Sequence, residues 1–159
     1  MDVDTDHLCD WIASQDELDW SKVLNRVIDA FDCTTGTLHF WDADKDALEI
    51  QAYRGIPEFL LPKMSTIPIG KGMAGIAAER RAPVQVCNLQ TDASGVARPS
   101  ARDTQMEGSL AAPLLHEGRL YGVIGVAKPI SYEFTDAETD ALMKVGDAIC
   151  TRLRNVQPV

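Results

Sequence analysis

The sequence predicts one α/β domain of the α+β class, in which a largely antiparallel sheet is covered by helices. Two observations predict it. Helical periodicity occupies both ends of the chain, and two pairs of strand-like segments between them are joined by short polar turns. Short turns join antiparallel strands, whereas parallel strands need long crossovers, so we expect an antiparallel sheet.

Composition and charge narrow the class of protein. The chain has 159 residues, of which 45% are hydrophobic and 25% charged, as in an ordinary globular domain with one core. Its net charge of -9 repels phosphate backbones and anionic lipids, so neither nucleic acid nor a membrane surface is an expected partner. Residues 1–6 lack the parts of a signal peptide, and no apolar run reaches the roughly 20 residues of a membrane span. We therefore expect a cytoplasmic protein.

Cysteine and histidine spacing predicts no metal site. The four cysteines are Cys9, Cys33, Cys87 and Cys150, and the three histidines are His7, His39 and His116. The cysteines lie far apart without a C-x-x-C pair, so we interpret them as free thiols, mostly small buried apolar groups. The histidines have no metal-ligand spacing among themselves or with the cysteines.

Helical periodicity opens the chain in two stretches. Apolar residues recur three and four positions apart, at Leu8, Trp11 and Ile12 and then at Val23, Val27, Ile28 and Phe31. This spacing predicts two helices, with Ser14 or Asp16 as the N-cap of the second. Gly36 interrupts the pattern.

Strand signals follow. Residues 37–41 and 48–53 predict a hairpin around a polar turn at 42–46. Residues 56–64 predict a short helix or an irregular segment closed by Pro62. Next we predict a strand at 67–69, a glycine-bearing turn at 70–75, a helix at 76–81 and a strand at 83–87.

The last third contains a long loop, a second hairpin and a helix. Residues 88–107 show no clear period, and a loop of this length is uncommon without a function. Residues 109–115 and 119–128 predict the second hairpin. Thr135 and Glu138 form a capping box that opens the last helix. The apolar stripe of that helix consists of Leu142, Val145, Ile149 and Leu153. It can pack against residues 23–31 or across a twofold axis, and both can hold together.

Six segments, spread in register over residues 18–154, resemble the GAF family. They are Gly72-Met73-Ala74-Gly75 with Ala77, Pro83-Val84, Asn88 with Asp92, Ser109 to Leu114, Gly122 to Val126, and Phe134 to Glu138. The resemblance implies a six-stranded antiparallel sheet sandwiched between the N/C-terminal helices and mid-chain helices, a PAS-like architecture with a pocket beneath the mid-chain loops. It divides the chain into an N-terminal helical extension at 1–17 and a GAF-like domain at 18–155.

For four specialised functions of the family, the residues that they need are missing or incomplete here. Relatives that reduce free methionine-R-sulfoxide place cysteines where this chain has Met64, Ala74 and the region around Arg98. The cyclic-GMP signature is incomplete, because Leu89 follows Asn88 and Glu138-Thr139 replaces its Asp-Glu pair. The cysteine that attaches a bilin is absent from the long loop, and a haem would have only His39 as an axial ligand.

The resemblance and the residues together predict a pocket that binds without reacting. The predicted ligand-binding residues are Thr37, His39, Trp41, Tyr53, Arg54, Met73, Ala74, Asp92, Arg98, Arg102 and Ser109. Met73 and Ala74 at a helix start offer amides suited to an anion, and the two arginines can bind a carboxylate or phosphate. The alternative for the arginines is a solvated loop that balances Asp92 and Asp103.

We therefore expect a non-catalytic, small-molecule-sensing or regulatory signal-transduction domain. We expect its ligand to be a nucleotide, an amino acid or a carboxylate, assign no cofactor, and expect a homodimer formed through the terminal helices. The first alternative is a ligand-free dimerisation or docking module whose pocket is filled by Tyr53, Trp41 or Met73. The second is a reductase of a small sulfoxide that depends on Cys87.

Overall fold

The computed structural model describes residues 5–92, Ser94, Val96 and 99–156. The helices are α1 (Thr5–Ser14), α2 (Trp20–Ala30), α3 (Leu61–Met64), α4 (Gly72–Arg80) and α5 (Asp136–Val156). The strands are β1 (Thr35–Asp42), β2 (Ala47–Arg54), β3 (Thr66–Pro68), β4 (Val84–Val86), β5 (Gly108–His116) and β6 (Arg119–Lys128). Two 3₁₀ turns occupy Glu58–Leu60 and Pro99–Thr104. None of the helices in this described part is long and apolar enough to cross a membrane.

The six strands form one antiparallel sheet in the order β3-β2-β1-β6-β5-β4, which confirms the predicted fold class. The two hairpins meet where β1 pairs with β6. At this junction a Cβ on Gly122 would lie 2.0 Å from the carbonyl oxygen of His39, so only glycine fits.

Helices α1, α2 and α5 cover one face of the sheet, which we call the helix face. The main hydrophobic core lies there, and the predicted α5 stripe belongs to it. Leu142, Val145 and Ile149 are fully buried, and Leu153 is 7% exposed. The stripe therefore packs within the chain. Homodimerisation stays a prediction, and a partner helix would have to use another surface.

Side chains close the helix ends on this face. Asp19 caps α2, because its carboxylate accepts hydrogen bonds from the amides of Ser21 and Lys22. The predicted caps, Ser14 and Asp16, were therefore wrong. The reason is that α2 begins only at Trp20. The predicted capping box is confirmed, because the Glu138 amide donates to Thr135 Oγ1 over 3.1 Å and the Thr135 amide donates to Glu138 Oε1 over 2.9 Å.

Two cations bind carbonyls at the C-terminal ends of α1 and α2 or just beyond them. Arg152 on α5 donates to the carbonyls of Ile12 and Gln15 at 3.0 and 2.5 Å. Lys128 is 5% exposed and donates to the carbonyls of Phe31 and Asp32 at 3.2 and 2.9 Å. Cations at these positions satisfy free carbonyls and oppose the negative end of the helix dipole.

The opposite face of the sheet, which we call the pocket face, carries α3, α4 and the two 3₁₀ turns. Pro62 was predicted to close the segment at 56–64, but it stands in the first turn of α3. A proline is tolerated there because the first helical amides have no intrahelical partner. The helix predicted at 76–81 begins earlier, at Gly72, and ends at Arg80.

Candidate functional site

A cavity of about 140 Å³ lies on the pocket face, above the centre of the sheet. Its floor is formed by β1, β5 and β6, and its walls by α3, the start of α4 and the segment before β5. The side chains and backbone that line it come from Thr35, Gly36, Thr37, Ile56, Lys63, Met64, Ile67, Lys71, Gly72, Met73, Ala74, Leu89, Thr104, Met106, Ser109, Leu110, Ala111, Val123, Gly125, Val126 and Ala127. Most of these are apolar, as in other ligand pockets of proteins.

Three glycines shape the entry of the chain into α4. Gly70 and Gly72 have φ angles of +87° and +66°, a region that side chains disfavour. Gly75 lies so close to β3 that a Cβ would be 2.5 Å from the carbonyl oxygen of Pro68. This arrangement presses the first turn of α4 against the sheet and directs its amino end into the cavity.

The start of α4 has no side-chain cap. Lys71 occupies the N-cap position with the extended backbone of a cap, φ -112° and ψ 129°, yet its side chain makes no capping bond. Among the described residues, the amides of Gly72, Met73 and Ala74 have no hydrogen-bond acceptor. These free amides and the helix dipole favour an anion at this end of the cavity.

Two lysines supply the formal charge of the cavity. Lys63 and Lys71 line it, and no aspartate or glutamate is among the described residues that do so. Neither ammonium group has a hydrogen bond or an ion pair within the described part of the chain. In a protein of net charge -9, the described lining of the cavity thus carries two positive formal charges.

The polar and apolar linings lie on different walls. Hydroxyls from Thr35, Thr37 and Ser109 stand on the sheet, and Thr35 is 5% exposed. Met64, Met73 and Met106 line the walls. Thioether side chains are flexible and polarisable, so they adapt to the shape of an apolar ligand group.

His39 lies on the pocket face of β1 but is covered by α3. Its Nε2 donates to the carbonyl oxygen of Met64 over 2.7 Å, and its buried Nδ1 has no partner among the described residues. Burial lowers the pKa of His39, and the bond to Met64 and the charge of Glu49 oppose that shift only in part. The imidazole is therefore neutral at pH 7 and fixes Met64, a lining residue.

The structure brings four of the predicted binding residues to the cavity: Thr37, Met73, Ala74 and Ser109. Strand alternation also holds, because Thr37 and His39 share the pocket face whereas Leu38 belongs to the core of the helix face. Trp41 and Tyr53 lie outside the cavity and are 37% and 49% exposed. The indole of Trp41 contacts Asp46 instead.

Arg54 points away from the cavity. Its guanidinium pairs with Asp29 of α2 at 2.9 Å, on the helix face. The cause is an irregularity in β2, where Leu38 pairs with Ala52 but His39 pairs with Ile50. Because Gln51 is the extra residue, the side chains of β2 change faces at this bulge.

The long loop uses its charged residues locally. Arg102 donates to the carbonyl oxygen of Asp92 over 3.2 Å, and the Asp92 carboxylate accepts a bond from the Ser94 hydroxyl over 2.8 Å. Neither Asp92 nor Arg102 lines the cavity, and Arg102 bonds the backbone of Asp92 and not its carboxylate, so a loop that balances Asp92 and Asp103 stays a prediction. Arg98 lies outside the described residues.

Sequence reasoning missed both lysines and most of the methionines. The signal for Lys71 was available, because a lysine between two glycines at a helix start stands where a capping side chain is usual. Lys63, Met64 and Met106 gave no comparable signal, since each comes from a segment whose position depends on tertiary packing.

All four cysteines belong to the described residues, and none of them lines the cavity. Burial raises the pKa of Cys33 and of Cys150 to about 12, which keeps both as unreactive thiols. Burial and neighbouring aspartates raise the pKa of Cys9. Cys87 is exposed, beyond the end of β4.

Comparison with known proteins agrees with this architecture. A family model described as "GAF domain" matches residues 19–150. No curated protein matches the chain. The GAF domain of a phosphoenolpyruvate-protein phosphotransferase from Coxiella burnetii superposes with a TM-score of 0.78 at 17% identity, covering 96% of this chain and 92% of that one.

Two further solved structures are similar. The free methionine-R-sulfoxide reductase from Neisseria meningitidis, in complex with its substrate, has a TM-score of 0.73 at 20% identity and covers 94% of this chain and 86% of that one. The nlh2 GAF domain of A. aeolicus, in an inactive state, has a TM-score of 0.70 at 18% identity, with coverage of 96% and 94%. At such identities the likeness concerns the fold.

Proposed function

Because this chain belongs to the GAF domain family, we propose that it is a sensing or regulatory domain that binds a small anionic metabolite and catalyses no reaction. The observation that carries this proposal is the uncapped start of α4, which faces a mostly apolar cavity together with Lys63 and Lys71. A site with free donors and two unpaired cations is suited to hold an anion.

The size of the cavity favours a small ligand. Its volume of about 140 Å³ is close to the roughly 150 Å³ of a cavity that holds one benzene molecule. This supports an amino acid or a small carboxylic acid over a nucleotide. We propose that the carboxylate lies at the amides of residues 72–74 beside Lys71, and that the apolar part contacts Met64, Met73 and Met106.

Part of the long loop belongs to the same cavity. Leu89, Thr104 and Met106 line it, although none of the charged side chains that the structure describes in this loop does so. A ligand that contacts these residues would bind better to the arrangement in which the loop is closed. We therefore propose that ligand binding stabilises the segment between β4 and β5 by a population shift.

Two alternatives have less support. A ligand-free docking module was predicted to fill its own pocket with Tyr53, Trp41 or Met73. Tyr53 and Trp41 lie outside the cavity, and Met73 lines its wall but leaves about 140 Å³ open. A sulfoxide reductase needs a thiolate at the bound sulfoxide, and no cysteine of this chain lines the cavity. Both observations favour reversible binding.

Binding can be tested by thermal shift and calorimetry with separate panels of amino acids, small carboxylates and nucleotides. We expect stabilisation by members of the first two panels. The double variant Lys63→Gln/Lys71→Gln should weaken that binding about tenfold or more, as expected when charge-assisted hydrogen bonds are lost. The matched control, Lys22→Gln/Lys144→Gln, changes the net charge equally on exposed residues outside the cavity and should bind as the unmodified chain does.

Two results would contradict the proposal. One is the absence of stabilisation by every panel at concentrations well above a millimolar affinity. The other is equal weakening in the cavity variant and the control, which would show that only the overall charge matters. For the claim of no catalysis, consumption of methionine-R-sulfoxide that disappears in Cys87→Ser would show a reductase.

A further inference from the structure

The two-residue turn between β5 and β6, Glu117-Gly118, is held from both sides of the sheet. On the pocket face, the guanidinium of Arg81 donates to the carbonyl oxygen of Gly118. On the helix face, His116 and Glu117 contact two residues of α5. The turn is therefore a physical link between elements that lie on opposite faces.

The link to α4 begins at the cavity. The first turn of α4 borders the cavity, and Arg81 follows the last residue of the same nine-residue helix. Gly75, Ala77 and Ala78 are buried where the helix packs on the sheet, so we expect α4 to shift as one unit. A displacement at its start would then reach Arg81.

The link to α5 is a chain of polar contacts. His116 Nδ1 lies 2.6 Å from Asp147 Oδ1, and His116 Nε2 lies 3.3 Å from the guanidinium of Arg154. Arg154 also pairs with Glu117 at 3.5 Å. One imidazole thus contacts two positions on α5, Asp147 through Nδ1 and Arg154 through Nε2.

Backbone conformation supports a structured contact. Arg81 and Glu117 both adopt left-handed backbone angles, with φ of 54° and 52°. Residues other than glycine rarely do so, because the Cβ approaches the backbone. At Arg81 this conformation ends α4, where its amide donates to the carbonyl oxygen of Ala77.

We propose that the β5–β6 turn is a relay that couples the position of α4 to the C-terminal half of α5. Together with the proposed function, it provides a route by which a ligand at the start of α4 acts on the opposite face of the sheet. The coupling is tested on the chain without ligand. A negative result would therefore leave the proposal of anion binding intact, and a failure to bind anions would leave the proposed coupling intact.

The test is hydrogen exchange by mass spectrometry on the full chain without ligand, comparing Arg81→Gln with the matched control Arg80→Gln. Arg80 is exposed, ends the same helix and has no hydrogen bond among the described residues, so its loss changes only the charge. In Arg81→Gln we expect roughly threefold faster exchange in peptides covering 114–120 and 147–154, as for the loss of one hydrogen bond, and no change in α2.

The reciprocal variant is His116→Ala, which removes the contacts with Asp147 and Arg154. Because coupling is reciprocal, exchange in α4 should increase while α2 again stays unchanged. Arg81→Lys provides a milder second variant, with a smaller increase in the same two peptides. Urea unfolding of each variant separates this local effect from a global loss of stability.

Several results would overturn the relay. Faster exchange at 114–120 with unchanged exchange at 147–154 would show that the contact stops at the turn. An equal response in Arg80→Gln would assign the effect to charge alone. Unchanged exchange throughout Arg81→Gln would show that the guanidinium does not hold the turn.

Discussion

The two faces of the sheet differ in whether side chains form hydrogen bonds with the ends of their helices. On the helix face, Asp19 and the Thr135–Glu138 box cap helix starts, and Lys128 and Arg152 bind helix ends. On the pocket face, α4 begins without a capping side chain, at a cavity. Helix ends are thus hydrogen-bonded by side chains on one face, whereas on the other face the start of α4 is left without such a bond.

The hydrophobic cores of the two faces also differ in the size of their buried side chains. The helix-face cluster contains large, fully buried side chains such as Phe31, Leu142 and Ile149. The pocket-face cluster is smaller and includes Ala77, Ala78 and Ala111. Of these, Ala111 lines the cavity together with Gly125 and Ala127, so small residues on the sheet leave room there.

The largest expected change in stability comes from comparing alanine substitutions in the two hydrophobic cores. Ile149→Ala should destabilise the chain by about 3 kcal/mol, because it leaves a cavity at a fully buried position. Met73→Ala should cost at most about 1 kcal/mol, because Met73 is half-buried and already borders empty space. Urea unfolding measures both, and equal losses would mean that the pocket face carries as much stability as the helix face.

A smaller effect is expected from pH. The pKa of His39 is lowered in the folded state from its ordinary 6.5, so the unfolded chain binds the proton more readily. Stability should therefore be complete above pH 6.5 and fall as the pH drops below it, by at most about 1.4 kcal/mol at pH 5.5.

The variant His39→Gln keeps a donor for the Met64 carbonyl but does not titrate. Its stability, measured by urea unfolding at pH 7.5 and 5.5, should change less between the two conditions than that of the unmodified chain. The capping carboxylate of Glu138 stays ionised between pH 7.5 and 5.5, so it does not contribute to this difference in stability. Its burial is outweighed by hydrogen bonds from Thr135 and Tyr132, so its pKa lies below 4.5. An equal loss of stability at pH 5.5 in the variant and in the unmodified chain would show that His39 does not cause the pH dependence.

The smallest expected change in stability tests the difference in helix capping between the two faces most directly. Lys71→Asp places a preferred capping residue at a position that already has the backbone of an N-cap. We expect a gain of about 0.5–1 kcal/mol in stability together with a loss of anion binding, since the aspartate would occupy the free amides. Lys71→Ala is the control and should lose binding without gaining stability. Retained binding in Lys71→Asp would contradict the proposed site.

Most of the fold could be predicted because it depends on local patterns. Alternation identified both hairpins, and the stripe at Leu142, Val145 and Ile149 identified α5 and its buried side. The capping box at Thr135 was readable because its two partners are three residues apart. The cap of α2 was missed because several acidic and hydroxyl residues precede that helix, and only the position of Trp20 decides among them.

The candidate site was only partly predictable, for a different physical reason. Thr37 could be placed by strand alternation, and Met73 by the helix start. Arg54 could not, because one extra residue at Gln51 reverses the faces of β2 beyond it. Lys63 and Met64 reach the cavity only after α3 docks over His39, a contact between residues 25 positions apart in the sequence.

The outermost strands, β3 and β4, are only three residues long, and β3 ends in a proline. An edge so short offers a neighbouring molecule few unpaired amides and carbonyls, and Pro68 has no amide to donate. The sheet is therefore poorly suited to grow by adding strands from other chains. Concentrated solutions of the folded protein should accordingly resist conversion into fibrils, even though the interior of the sheet is rich in aliphatic strands.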